Sequence, residues 1–495
     1  MPATILSAAV IGIDARPVRV EVDVHAGLPN VTVVGLPDKA VQEARERIRA
    51  AVTNADFYFP YSRVTMNLSP ADWKKEGPGF DLPIAVALLL TTSQIIDQFD
   101  KVLVAGELSL AGDIRPITGV LAMAELAAKE HWRLLIPADN AGEAAMIPGV
   151  EMIPLAHVRD LAQPLRSMIA PPPSPINDRR TWDIWPTIQG QTQAKRAMTI
   201  AAAGHHNVLL VGPPGSGKTM LAQSVAELLP PLSMAEALTV TKIYSVAGQL
   251  PRSLLHQVSR PFRQPHHTSS VAALIGGGRV PKPGELTLAH HGVLFLDEFP
   301  EFSRDHIEAL RQPLEHGQVT INRVAGSIEF PAAAMVVAAM NPCPCGYWLD
   351  PDRACSCRPA AISRYTSRLS GPILDRFDLF VHVPRVRAGE IQKNNDGPDP
   401  RPAIAAARRQ QHERSGGMLN HQLRGRQLRE HAALGRAEEA FLQDALERLH
   451  LSMRAYHRVI RVARTIADLD HARDIQLRHL AEAIQFRPPT GLLVR

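Results

Sequence analysis

The run Gly212-Pro213-Pro214-Gly215-Ser216-Gly217-Lys218-Thr219 places glycines where backbone amides must close round an anion, then a lysine and a hydroxyl. It follows the apolar run "HNVLLVG" and opens the helical pattern "KTMLAQSVAELL", the context that the phosphate-loop pattern G-x-x-x-x-G-K-[ST] requires. Such a loop holds the β-phosphate on backbone N–H groups at the positive end of a helix. Lys218 is then expected to reach the β- and γ-phosphate oxygens, and Thr219 to bind Mg²⁺. Downstream, "VLFLDE" delivers Asp297 and Glu298 at the end of a buried strand. Asp297 is expected to hold Mg²⁺ through water and Glu298 to polarise an attacking water. A third run, "VVAAMN", ends at Asn341, an amide suited to orienting that water or sensing the γ-phosphate. Alone, an asparagine at a strand end is more often a turn former. After a phosphate loop and an acidic pair it fits hydrolysis of a phosphoanhydride, with ATP and Mg²⁺ as the small molecules.

All four cysteines of the chain fall within "CPCGYWLDPDRACSC", as the pairs Cys343/Cys345 and Cys355/Cys357. Four thiolates on a chain that curls round one centre suit tetrahedral zinc, although C-x₂-C is the commoner spacing. Structural zinc is the leading reading. Reduced thiols packing a loop and a redox-sensitive disulfide pair are the other two. Four cysteines leave no open coordination position, so a catalytic zinc is not expected.

These residues need a parallel sheet to carry them. "GVLFLDE" and "AAAMVVAAMN" are short continuous apolar runs, the pattern of strands buried on both faces, and they alternate with helical spacing. At 495 residues the chain exceeds one core. A Pro-rich stretch, "MIAPPPSPINDRRTW", divides off an N-terminal segment. A second break, containing "KNNDGPDPRP" and "ERSGGMLN", precedes three amphipathic helical patterns. The expected layout is 1–165 as a first domain, 166–185 linker, 186–385 nucleotide core, 386–425 linker and 426–495 helical domain. Composition is that of a soluble chain, 45% hydrophobic and 21% charged. The apolar runs at 83–96 and 330–349 are too short or too broken by proline to span a bilayer, so no membrane partner is expected. With no visible secretory signal and few cysteines, the cytoplasm is the expected compartment. Net charge is +5, a mild bias towards polyanions, but aromatic residues at 5% offer few stacking platforms for single strands.

Across the chain, "GLPDKAVQEARERIRAAVTN", "NLSPADWKKEGPGFDLPIA", "GPPGSGKTMLA", "RPFRQPHHTSS", "LFLDEFPEF", "LRQPLE", "NPCPCG", "SGPILDRFDL" and "RVARTIADL" resemble the ComM/YifB family of magnesium-chelatase-like AAA+ ATPases. The resemblance spans about residues 1–490. It implies an α/β fold with an S5/Lon-like α+β domain, a P-loop AAA+ core with a parallel sheet, and a helical lid. It also implies a homo-hexameric ring with ATP between neighbours. Arg376 then matches the arginine finger that serves the adjacent subunit, and Arg454 the second sensor; Asn341 matches the first. The family's substrate is DNA, through ATP-driven branch migration of recombination intermediates during natural transformation. A chelatase-like or protein-remodelling role is the alternative.

By the same resemblance, residues 243–270 are an insertion interrupting the second helix of the core, and 317–330 a hairpin before the sensor strand. Arg323, Lys282 and Arg279 are candidate phosphate contacts there. Residues 401–430 hold seven arginines and two glutamates, and read either as a DNA contact or as a solvated stretch. The N-terminal segment is similar to the Lon protease domain. Proteolysis is not expected, because "EGPGFDLP" lacks the serine and Lys129 lies beyond the turn where the base belongs; Ser69, Lys74 and Lys75 sit elsewhere in the pattern. A role in ring assembly or in holding DNA is expected instead.

Overall fold

The structure is a computed structural model that describes residues 2–75, 77–170, 182–250, 259–278, 281–323, 326–348, 350–386, 398–449 and 452–488. The N-terminal part is built on a mixed eight-stranded sheet. Its strands are β1 (Ala3–Ile11), β2 (Asp14–His25), β3 (Asn30–Val34), β4 (Arg63–Ser69), β5 (Val102–Val104), β6 (Arg133–Pro137), β7 (Glu151–Leu155) and β8 (Met168–Ile169), in the spatial order β8-β7-β6-β5-β1-β2-β4-β3. Alternation along β2 buries Val18, Val20 and Val22. They pack with α1 (Lys39–Asn54) and α2 (Asp81–Thr91), the latter buried along nearly its whole length as its apolar sequence requires, while α3 (Val120–Glu130) packs with Leu103 and Leu134 of the sheet. Lys75 is fully buried, but its Nζ is engaged by the Trp73 carbonyl at 2.8 Å and lies over the Trp73 ring, so it serves as a packing element.

The second part centres on a five-stranded parallel sheet. Helix α4 (Thr192–Gly204) leads into β9 (Val208–Val211), the phosphate loop, and α5 (Lys218–Leu228). Then come α6 (Met234–Ala247), β10 (Phe262–Arg263), β11 (Val293–Leu296), β12 (Met335–Met340) and β13 (Leu379–His382). The spatial order is β10-β11-β12-β9-β13, so the phosphate-loop strand β9 lies between β12, which ends before Asn341, and the last strand. Val211 pairs with Met340 on one side and His382 on the other, which brings the C-terminal ends of these strands level. All residues of β9, β11 and β12 are buried, as continuous apolar strands must be. The helical region includes α7 (Arg401–Ser415), α8 (Arg436–Arg448), α9 (Met453–Leu469) and α10 (Leu477–Gln485), with the short helix Gly425–His431 between α7 and α8, and shares one core with α4 and the sheet.

Two expectations are corrected. The stretch 243–270 is not one insertion interrupting a helix: Met234–Ala247 is continuous helix, Phe262–Arg263 is the edge strand of the sheet, and 251–258 lie outside the described residues. A small hairpin, Gly276–Gly277 with Lys282–Pro283, instead stands between the helices Val271–Ile275 and Glu285–Leu288. The stretch 386–425 is also more than a linker. Within it α7 buries Ile404, Ala407, Arg408 and Gln411. Arg408 donates to the Ala202 carbonyl at 2.8 Å, closing the C-terminal end of α4, and Arg414 grips Asp468 through two hydrogen bonds. These two arginines hold the fold and are not a solvated cluster. The hairpin before the sensor strand is present, pairing Gln318–Arg323 with Gly326–Pro331.

The two halves touch. Lys242 on α6 is buried between Asp14 (2.8 Å) and Glu125 (2.5 Å) of the N-terminal part, and Ser245 donates to Glu143. Residues 171–181, the middle of the Pro-rich stretch, lie outside the described residues. Its ends belong to the flanking domains: Met168–Ile169 is an edge strand, and Trp182 packs against the second core.

Candidate functional site

The phosphate loop leaves the end of β9 with Gly215 and Gly217 in the left-handed region, φ +74° and +87°. A side chain at Gly212 would meet the Val383 carbonyl at 2.1 Å, so only glycine lets the loop pass the neighbouring strand. Lys218 Nζ folds back onto the carbonyls of Gly212 (2.8 Å) and Pro213 (2.9 Å) and donates to Asn341 Oδ1 at 3.2 Å. Burial pushes this ammonium down to about 8, against the pull of Asp297. The Ser216 hydroxyl is buried without a hydrogen-bond partner among the described residues, an orphan that a phosphate oxygen would satisfy. Thr219 Oγ1 donates to Asp297 Oδ2 at 3.4 Å, which puts both expected Mg²⁺ ligands on one point. Glu298 follows with φ +50°, its amide on Asp297 Oδ1 and its side chain 59% exposed. Lys218, Thr219, Asp297 and Asn341 therefore converge, from three adjacent strand ends.

His267 was not singled out in the sequence. Its Nδ1 lies 3.5 Å from Glu298 Oε2, just after the edge strand β10. The "PHHT" run read as part of an insertion, and only the placement of Phe262–Arg263 in the sheet shows that it faces the acidic pair.

Arg376 and Arg454 are elsewhere. The Arg376 carbonyl accepts from Asn207 Nδ2 (3.0 Å), beside the start of β9, and its guanidinium pairs with Glu315. Arg454 begins α9, is 70% exposed, and reaches Asp375 at 3.6 Å. Both sit at the N-terminal end of the parallel sheet, the end opposite the phosphate loop. Nearby, Asp378 is buried between His206 Nδ1 (3.0 Å) and Arg461 Nη2 (3.2 Å). Burial works against its carboxylate, but Arg461 and His206 outweigh burial and hold it well below the usual range. Of the candidate phosphate contacts, Lys282 is exposed on the small hairpin, Arg323 ends the first strand of the longer one, and Arg279 lies outside the described residues.

The four cysteines meet just past Asn341, with their sulfurs all within 4.8 Å of one another. Individual separations are 3.4 Å (Cys343–Cys345), 3.7 Å (Cys343–Cys355) and 3.6 Å (Cys345–Cys355). A tetrahedron with zinc–sulfur bonds of about 2.3 Å has edges of about 3.8 Å, so the donor set fits that ion. Backbone amides point at the sulfurs: Trp348 N to Cys343, Cys345 N to Cys357 and Cys357 N to Cys355, at 3.3–3.4 Å. Burial opposes a thiolate at Cys345, but the amides of Tyr347 and Ser356 prevail and bring it down to about 6.

Among the described residues no helix is long and apolar enough to cross a membrane. Three family models match the chain: "Magnesium chelatase, subunit ChlI" over residues 185–391, "Subunit ChlI of Mg-chelatase" over 20–140, and "Magnesium chelatase, subunit ChlI C-terminal" over 399–487. The chain is 42% identical to the competence protein ComM of Haemophilus influenzae, covering 99% of this chain and 98% of that protein. It is 40% identical to the protein YifB of Escherichia coli, covering 98% and 97%. A weaker likeness, 26% over 211 residues, joins 40% of this chain to 22% of the zygotic DNA replication licensing factor mcm6 of Xenopus tropicalis. With its phosphate loop, its five parallel strands in that order and this full-length identity, the chain belongs to the ComM/YifB family of magnesium-chelatase-like AAA+ ATPases.

Proposed function

We propose that the protein is an ATP-hydrolysing motor that assembles as a homo-hexamer and drives branch migration or unwinding of DNA during recombination and natural transformation. The observation that carries the ATPase part is the convergence of Lys218, Thr219, Asp297 and Asn341 round the phosphate loop. Backbone amides of Gly215 to Lys218 and the Lys218 ammonium bind the phosphates. Thr219 and Asp297 would hold Mg²⁺, which neutralises charge on the phosphate oxygens. Glu298 takes the proton of the attacking water, and Asn341 orients that water or senses the γ-phosphate. Arg376 and Arg454 complete the site of the next subunit as finger and second sensor, since each lies at the far end of its own sheet. The four thiols hold one structural Zn²⁺, and such reduced thiols suit the cytoplasm.

DNA as the substrate is supported by relatives named as a competence protein and, more distantly, as a DNA replication licensing factor. The family models named for magnesium chelatase support a second reading, a motor acting on a protein partner. Steady-state ATPase with and without duplex, single-stranded and four-way-junction DNA, with the strands resolved on a gel, decides between them. DNA-stimulated turnover with junction resolution is expected; Lys218→Ala should lose nucleotide binding, and Glu298→Gln should bind ATP and stall. Turnover indifferent to every DNA, with intact strands, would favour the protein partner. Normal hydrolysis by Glu298→Gln would overturn the carboxylate assignment.

A further inference from the structure

The four-cysteine loop is packed against the phosphate loop. Gly346, the residue after the first cysteine pair, has φ +86°, and a Cβ there would stand 2.5 Å from Pro214 Cδ and 2.8 Å from Cγ. The backbone of the cysteine knuckle thus lies directly on the proline in the middle of Gly212–Thr219. One residue separates Cys343 from Asn341, whose amide oxygen receives Lys218. A third tie runs through Tyr347: the Arg385 guanidinium lies 5.2 Å from its ring centre, and Arg385 Nε is 3.5 Å from Asp350 within the cysteine loop. Next to Arg385, the Pro384 carbonyl accepts from Gln191 Nε2 (2.6 Å), which also reaches the Ser216 carbonyl at 3.4 Å. The cysteine loop therefore touches the phosphate loop at Pro214, the sensor strand at Asn341, and the exit of the last strand at Arg385.

From this we infer that the four-thiolate site is a brace for the nucleotide cradle, so that metal bound at Cys343, Cys345, Cys355 and Cys357 strengthens ATP binding at Lys218. The inference rests on the zinc reading above. Without an ion, the knuckle keeps its own backbone turn, Gly346 N donating to the Cys343 carbonyl at 2.9 Å, but the two cysteine pairs are joined to each other through weak sulfur contacts. With the ion, four bonds fix the knuckle, and the phosphate loop is held ready for its anion at smaller ordering cost. Binding at the two sites is then reciprocal: the factor by which zinc tightens ATP is the factor by which ATP tightens zinc.

Reciprocity permits a test on the wild-type chain. Zinc content is measured by elemental analysis, and zinc affinity by competition against a chelator, without nucleotide and with saturating ATPγS. One zinc per chain is expected, held about tenfold more tightly when the nucleotide is present. In parallel, Cys355→Ser/Cys357→Ser should lose zinc and bind a fluorescent ATP analogue about tenfold more weakly, at unchanged circular dichroism. Zinc bound with equal affinity in both conditions overturns the brace and leaves the zinc reading intact. A folded wild type that neither carries nor takes up zinc overturns both. Should the double variant fail to fold, the wild-type competition decides alone.

Discussion

Arg376→Ala is the sharpest test of the proposed ring. In the chain itself Arg376 is anchored beside Asn207, and Gly212 lies five residues further along the same extended segment, about 16 Å at about 3.3 Å per residue. Its guanidinium faces Glu315, not the phosphate loop. That pair is partly exposed and worth about 0–1 kcal/mol, so giving up Glu315 for a neighbour's phosphate costs little. An arginine finger is worth roughly a thousandfold or more in turnover, so the variant should be nearly silent while still binding ATP. Lys218→Ala should be silent for the other reason, an empty cradle with its own finger intact. Mixed in equal amounts and allowed to reassemble, the two restore a working interface when a chain with Lys218 sits before a neighbour with Arg376. In a head-to-tail ring that happens for one half times one half, about a quarter of interfaces. Phosphate release by the mixture should therefore approach a quarter of the wild-type rate, from two parents near zero. If the mixture stays silent although sedimentation shows mixed rings, or if Arg376→Ala alone turns over within about tenfold of wild type, the assignment across the interface is wrong.

Two other outcomes follow from buried charges. Lys218 in the free loop titrates at about 8, and a bound phosphate favours its charged form, so nucleotide binding takes up a proton above that pH. The Kd for ATP, followed by fluorescence, should be flat below pH 8 and rise by up to about tenfold per unit above it; a flat profile to pH 10 would contradict the burial argument. Asp378→Ala removes the partner of the buried Arg461 and His206 and should cost about 3–5 kcal/mol, seen as a lower Tm. Because the native carboxylate is held below its unfolded value of about 3.9, its contribution is complete above about pH 5 and fades as the pH falls. The Tm gap between wild type and variant should accordingly narrow in acid.

What the sequence made legible is what short stretches determine locally. The phosphate loop, the apolar runs ending at Asp297 and Asn341, and the three C-terminal helical patterns each carry their signal within about a dozen residues, and each stands where its pattern places it. The cysteine cluster was legible as a cluster for the same reason, although its contact with Pro214 spans more than a hundred residues and left no local trace. The small hairpin at Gly276–Pro283 escaped notice because its strands are two residues long and written in glycine, lysine and proline, the composition of a loop. Helix α7 escaped for the opposite reason. Its arginines read as solvated charge, yet Ile404, Ala407 and Gln411 fall at helical spacing on the face that meets α4, and Arg408 is buried because a carbonyl at the end of that helix needs a donor.

The same distinction separates the residues of the site. Lys218, Thr219, Asp297 and Asn341 come together because three neighbouring parallel strands end at one level, a consequence of topology that motif order already encodes. His267 joins them only through the edge strand, two residues long, which no periodicity could announce. Arg376 and Arg454 lie away from them, beside Asn207 and Asp375 at the other end of that sheet. Arg376, three residues before the start of β13, cannot reach a loop that follows the end of β9, so the finger proposed at Arg376 has to serve another copy of the chain. On the proposed reading the phosphate loop and Arg376 stand at opposite ends of one sheet, and a ring that brings the opposite ends of neighbouring sheets together would make each useful.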